Sequence, residues 1–457
     1  MENLFRFLIF SLPFNAFIGP SVMGELQNDL AIYPILLMAM VLLVQVVQQR
    51  RKLVIPSYLT KFLLVIGGLI FCGFIANAID ISSDYMRGRS AFNKFFTSSI
   101  LLVFVWMTAV LAANVITQRE QIETMFIRPF FWGVVAACLF AVPEVLTWYA
   151  PALQGIFKMV SYTYNPAGTA SIVPSRLHAM SFEPPFFSTY IAFVIPWMLC
   201  GYRLARDAGQ KVVASRYGMG LALALVLLLL SNSRTGFLIV GIWVLNEILL
   251  KLVFCGNKHN THGAAKVLVW FYGFVFLVLF FAPILLEERL VSVILQGESV
   301  SNISRYASTL SAFNMMMDNW FLGVGFGQYA FNALHYMPFW GFDSYEIEKW
   351  FFDDTSVWPP VFNLFARLGA ELGFTGLLAW MGFWLWILST TLRKSAEEAR
   401  LSGKIPAIGF AIIASVLHMF INGLTMDTLR LLGIWIVLGW VGVYWYQKEF
   451  RHDKNIA

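Results

Sequence analysis

Long apolar runs separated by short polar stretches fill the chain from end to end. A helix needs about 20 mostly apolar residues to cross a bilayer. The pattern therefore predicts spans at 4–20, 30–48, 59–79, 97–115, 126–148, 185–203, 217–232, 235–254, 266–285, 361–391, 406–422 and 428–447. The run 361–391 is too long for one span and predicts an interfacial helix joined to a span at Gly373 and Gly376. The first run keeps Arg6, is broken by Pro13 and has no small-residue cleavage site, so it reads as a retained span and not a removed signal peptide. Two intervals, 149–184 and 286–360, exceed simple connectors and are rich in Tyr, Trp, Asn, Ser and Asp. Such loops are ordered and functional more often than they are linkers. The expected architecture is all-α: one polytopic membrane domain over 1–457, with about twelve transmembrane helices and one large, partly helical loop. No internal repeat of the inverted-repeat transporter kind is visible.

Composition agrees with this pattern. Of 457 residues, 59% are hydrophobic and 13% charged, against about 25% charged in soluble domains, so the chain cannot cover itself with a water-compatible surface. Charge then sets direction. With both termini inside, 21 of the 32 Lys and Arg fall on the inner side and 11 on the outer, the asymmetry of the positive-inside rule. The net charge of +6 is on this reading a topology signal, and no nucleic-acid partner is expected. Cys72, Cys138, Cys200 and Cys255 lie in or beside apolar runs without pairing or metal spacing and read as packing residues. His259 and His262, in HNTH, lack further ligands, and His418 reads as a packed residue within a span. No HExxH, GxSxG or paired-carboxylate motif stands where it could act, and no metal or other cofactor is expected.

Outward-facing polar residues carry the candidate chemistry, because charge at a membrane is costly and is commonly kept for function. In SNSRTG (231–236), Arg234 stands at an outer span mouth among Ser231, Asn232 and Ser233. It is either a snorkelling anchor of the hairpin or an anion clamp, since a guanidinium grips phosphate oxygens with two parallel bonds. Arg305, in SNISRYAST, begins an amphipathic stretch over 304–317 and is either a solvated loop residue or a second such clamp. GVGFGQY (323–329), which ends at Tyr329, lacks the strand–turn–helix setting of a nucleotide loop. Its glycines suit close backbone approach to a ligand or a helix. In NLFARLGAELGFTGLL (363–378), Asn363 opens a helix on which Arg367 and Glu371, four apart, suit an ion pair. His178 and His335 are the outward histidines. In SFEPPFF (181–187), Pro184 pushes Glu183 to extended geometry at a span mouth. Partial burial among Phe182, Phe186 and Phe187 would raise its pKa toward a base's range. The alternative is a carboxylate resting on the dipole of the following helix.

SNSRTGFLIV (231–240), Arg305, NWFLGVGFGQY (319–329) and NLFARLGAELGFTGLL (363–378), in this order and on one side of the membrane, resemble the O-antigen ligase/polymerase superfamily. The likeness covers roughly 170–390. It implies a GT-C-like, multi-pass glycosyltransferase of the bacterial inner membrane, termini cytoplasmic and active site periplasmic, that uses a glycan on undecaprenyl pyrophosphate. Ligases of the superfamily carry a His before the Asn of the last motif, where this chain has Phe362, and often an Asn-Pro-Asn element near the place of Phe182-Glu183-Pro184. Both departures resemble Wzy-type polymerases. The resemblance implies Arg234 and Arg305 on the departing pyrophosphate, with Arg367 and Arg176 in reserve, and Glu183 as base with His335 as the second candidate. Asn363, Tyr329, Asp353 and Asp354 would bind substrate, and Trp340, Trp350 and Trp358 would stack on sugars. The expected partners are the lipid-linked oligosaccharide, membrane lipid and a chain-length regulator protein. A ligase acting on lipid A-core, a lipid-linked sugar flippase and a cell-wall polymerase of the shape, elongation and division type remain alternatives.

Overall fold

A computed structural model describes residues 1–17, 19–20, 27–162, 175–255, 261–285, 300–353 and 358–446. Asp354, His259 and parts of the intervals 149–184 and 286–360 lie outside the described residues. Almost all of the described structure is helix. In chain order these are α1 (Glu2–Ser11), α2 (Ile32–Val47), α3 (Ser57–Ala76), α4 (Ala78–Ser83), α5 (Ala91–Val115), α6 (Arg128–Tyr149), α7 (Gln154–Tyr162), α8 (Pro184–Asp207) and α9 (Lys211–Ser231). Next come α10 (Arg234–Leu250), α11 (Thr261–Leu285), α12 (Val300–Asp318), α13 (Tyr329–Tyr336), α14 (Tyr345–Phe352), α15 (Leu364–Ser402), α16 (Ala407–Gly423) and α17 (Leu432–Tyr446). Among the described residues, seven helices are long and apolar enough to cross a membrane, and shorter apolar helices accompany them. The protein is a polytopic, all-α membrane protein. Within the interval 286–360, the described residues hold α12, α13 and α14 together with non-helical backbone that includes 319–327.

The first predicted span differs from expectation. The run 4–20 forms only the ten-residue α1, which stops at Ser11, ahead of Pro13. Ten residues reach about 15 Å, half a bilayer core, and proline, which cannot donate a backbone bond and crowds the preceding turn, disfavours continuing the helix. The chain continues the same way without helix. Phe10 lies beside Gly133 of α6, the Phe14 ring stands 5.7 Å from Phe140, and Asn15 Oδ1 accepts from the Phe182 amide at 2.9 Å. Residues 12–17 thus follow α1 as turns and irregular chain packed against α6 and reaching Phe182. Non-helical backbone is tolerated at membrane depth where protein covers it. Here Phe17 N donates to Asn28 O at 3.0 Å and Leu30 N to Phe14 O at 2.9 Å.

The joint expected in the run 361–391 is present. Gly373 interrupts α15 with φ 68° and ψ −176°. Residues 319–327 lie across the gap and satisfy the backbone groups it frees: Phe374 N donates to Trp320 O (2.6 Å), Val324 N to Ala370 O (3.0 Å) and Gly325 N to Glu371 O (3.0 Å). Such a crossing is possible only without side chains. A Cβ on Gly373 would stand 2.4 Å from the Phe321 carbonyl, and one on Gly323 would stand 2.5 Å from Ala370 O. The glycines of GVGFG serve the close approach of loop to helix.

The two ends of the bundle differ in charge pairing. At the end holding the loops 116–125, 204–216 and 392–405, Arg119 grips Glu398 through two bonds of 2.9 and 3.0 Å, and Lys404 Nζ stands 3.2 Å from Asp207. At the other end, called outer after the predicted orientation, arginines stand at the starts of helices.

Candidate active site

Among the helices that begin at the outer end are α8, α10 and α15, and a continuous run of contacts ties their starts together. Gly236 of α10 backs onto Ser188 of α8, close enough that a Cβ would stand 2.9 Å from the serine Cβ. One residue on, Thr189 donates to Asn422 Oδ1 at 3.0 Å, and Asn422 O accepts from the Met426 amide at 2.8 Å. Met426 O accepts from Leu364 N at 3.1 Å, Asp427 Oδ2 accepts from Val361 N at 3.0 Å, and Val361 O accepts from Thr309 of α12 at 3.0 Å. Each helix start presents the positive end of a dipole. The region is therefore positive before any side chain is counted.

Arginines add to that field. Arg234 is the first residue of α10, exposed, with no ion pair among the described residues. Arg305, exposed on α12, sets its guanidinium 5.0 Å from the centre of the Phe362 ring. Phe362 has φ 59°, a left-handed conformation uncommon outside glycine. Arg367 is already engaged: Nε bonds Glu371 Oε1 and Nη1 bonds Asp427 O, each at 3.1 Å. The expected i,i+4 pair is thus present, and it neutralises a carboxylate that is only 1% exposed. Arg176, half-buried, adjoins Leu177, whose amide donates to Leu230 O at 3.0 Å and so brings Arg176 to the end of α9, beside the turn that holds Arg234.

Two residues of this region were not singled out from the sequence. Glu144, fully buried in α6, accepts the His178 and Ala179 amides at 3.1 and 2.8 Å and so anchors the segment that carries Arg176 and Glu183. A lone carboxylate inside an apolar run was the available signal. Arg430, at the mouth of the last apolar run, stands 3.7 Å from Asp29 Oδ2. Burial pushes the Asp29 carboxyl above the usual carboxylate range, and Arg430 draws it back.

The remaining candidates are dispersed. Glu183 caps α8 in the extended geometry that a following proline demands (φ −143°, ψ 155°), yet its side chain makes no cap hydrogen bond. The enclosure expected for it is absent: Glu183, Phe182 and Phe186 are exposed, and only Phe187 is buried. The Phe182 amide is drawn instead to Asn15, a contact from a distant part of the chain. Asn363 is buried as the cap of α15, its Oδ1 accepting from the Phe365 and Ala366 amides at 3.0 Å. Tyr329 is buried and donates to Ser308 O at 3.0 Å. His335 is exposed at the far end of α13, which meets α12 through Asn314. That is nine residues, about 14 Å, along α12 from Arg305, so His335 does not join the arginines. Asp353, half-buried, ends α14. Trp350 stands 5.4 Å from Phe362, Trp340 stacks on Tyr306 at 5.5 Å, and Trp358 lies against Arg89 and Lys94.

Residues 219–381 match the family model described as O-antigen ligase. This stretch belongs to the O-antigen ligase/polymerase superfamily. A search of curated proteins finds no match. The matched stretch runs from within α9 to within α15 and includes Arg234, Arg305, Tyr329, His335, Asn363 and Arg367. Arg176, Glu183, Glu144 and Arg430 lie outside it. The family comprises glycosyltransferase-like enzymes that act on lipid-linked oligosaccharides.

Proposed function

We propose that the protein is a polysaccharide polymerase. It transfers a growing glycan from undecaprenyl pyrophosphate to a sugar hydroxyl of a lipid-linked repeat unit, at the periplasmic face of the bacterial inner membrane. One observation carries this reading: Arg234 at the start of α10 and Arg305 beside Phe362 both stand exposed, and a relay through Ser188, Thr189, Asn422 and Met426 links the starts of α8, α10 and α15. Such a place stabilises the negative charge that develops on a departing pyrophosphate. In the reaction the acceptor oxygen attacks the anomeric carbon, the carbon–oxygen bond to pyrophosphate breaks, and the hydroxyl proton passes to a base. Pyrophosphate is already a good leaving group, so the reading assigns no role to a nucleotide or a metal. Arg234 and Arg305 contact the pyrophosphate, while Arg367, tied to Glu371 and Asp427, holds the start of α15 in place, and Arg176 lies within reach of the same region. Asp353 and Asp354 contact sugar hydroxyls. The twelve crossings, with both termini cytoplasmic, include residues 1–17 as the broken first passage, and 286–360 forms the large periplasmic loop. A chain-length regulator fits as a partner.

Glu183 is the base of this reading. It is exposed at the start of α8, next to the contact of α8 with α10, whereas His335 stands apart. Glu183→Gln keeps shape and hydrogen bonding but cannot take a proton. It is expected to lower polymerisation by about 10²–10⁴-fold with unchanged protein in the membrane. Normal chain lengths from this variant would leave Glu183 as a helix-end carboxylate.

The description of the matched family favours a second reading, transfer to lipid A-core. Purified protein given lipid-linked repeat units alone separates the two. Growth of lipid-linked chains is expected for a polymerase. Product that forms only after lipid A-core is added would establish the ligase.

A further inference from the structure

At the end of the bundle opposite the arginine site, α1 and the start of α6 enclose a groove of about 540 Å³. Its walls include Arg6, Phe7, Phe10, Arg128, Pro129 and Trp132. Arg128 precedes Glu144 by 16 residues on one helical run, about 24 Å at 1.5 Å per residue. Glu144 holds the outer-end segment. The groove therefore lies near the other interface of a hydrocarbon core about 30 Å thick.

Its chemistry is that of a lipid headgroup site. Arg128 is exposed, and its guanidinium makes no ion pair or hydrogen bond among the described residues. Among the described residues, the Arg6 side chain pairs only within its own short helix, 3.3 Å to Asn3 Oδ1 and 3.9 Å to Glu2 Oε2. Phe7 and Trp132, which line the same groove, are 44% and 50% exposed, which leaves an open aromatic wall beside the two arginines. Trp is at home at this depth, and guanidinium groups bind phosphate oxygens in parallel pairs. A soluble anion would use the cations and ignore the wall, whereas a phospholipid uses both. The predicted orientation also places the groove in the cytoplasmic leaflet, whose surface is negative.

We infer that this groove binds an anionic phospholipid, its phosphate between Arg6 and Arg128 and an acyl chain along Phe7, Phe10 and Trp132. The inference is independent of the transfer reaction. Each basic residue near an anionic surface contributes about fivefold, so two give a preference of roughly 30-fold for phosphatidylglycerol over phosphatidylcholine. The test measures retained lipid by native mass spectrometry, and melting temperature, for the detergent-purified full chain with each lipid at matched acyl chains. The preference should vanish in R6A/R128A and largely survive in R6K/R128K, which keeps the charge and reports the site even where the alanine pair folds poorly. An R6A/R128A protein that retains the preference would overturn the inference. So would an equal stabilisation by inorganic phosphate, or a dimer of the wild type that R6A/R128A dissociates, since those outcomes assign the groove to a free anion or to a second copy.

Discussion

A chain carrying Gly373→Ala is expected to lose most of its folded population. Gly373 adopts φ 68° and ψ −176°, a region essentially reserved for glycine that costs other residues about 1–3 kcal/mol. The added Cβ would also stand 2.4 Å from the Phe321 carbonyl. That neighbour is backbone, held in place because Phe374 N, Val324 N and Gly325 N all bond across the same crossing, so it cannot swing aside as a side chain would. Overpacking of this kind adds about 1–3 kcal/mol. The sum is a large share of the 5–15 kcal/mol typical of a folded domain. Thermal unfolding in detergent, with recovery of monodisperse protein, measures it. Gly382 of the same helix, with nothing within 4 Å of a built Cβ, is the control: Gly382→Ala should be neutral or slightly stabilising. Equal melting of both variants would refute the account of the crossing.

Arg234→Ala and Arg305→Ala are each expected to cut glycan transfer by at least about 100-fold, the usual cost of removing one group that stabilises developing charge. The melting temperature should stay near that of the wild type, because both side chains are exposed and neither completes an ion pair among the described residues. In membranes, long glycans should disappear while single repeats persist. Arg367→Ala is the informative contrast. It strips the partner from Glu371, a carboxylate 1% exposed, and breaking a buried pair in this way costs about 3–5 kcal/mol. Activity and folded protein should therefore fall together. Normal chain lengths in both the Arg234 and Arg305 variants would remove these residues from the reaction. Loss of stability in them would make them structural.

Much of this site was legible locally. The extended backbone at Glu183 follows from Pro184, the cap at Asn363 from its place before an apolar helix, and the Arg367–Glu371 pair from their spacing of four. Each rests on bonds within one or two turns, which neighbouring residues determine by themselves. The Gly373 joint was legible for a different reason: the run was longer than one crossing and held a glycine near its middle. The first run misled because hydropathy measures preference for the membrane and says little about helix. α1 stops ahead of Pro13, and residues 12–17 continue as turns and irregular chain against α6 and the chain at 27–30.

By itself the sequence determined that this is a membrane protein built of helices, where most of them lie, and that arginines stand at several of their mouths. Those are properties of transfer free energy and local backbone geometry, summed along a short window. Only the tertiary structure decided which mouths meet. It brought Gly236 to Ser188 and Met426 to Leu364, joined Arg367 to Asp427, tied His178 to Glu144, and left Glu183 open where the sequence suggested enclosure. Burial, pairing and the grouping of charges depend on side chains tens to hundreds of residues away, and no local pattern encodes those distances.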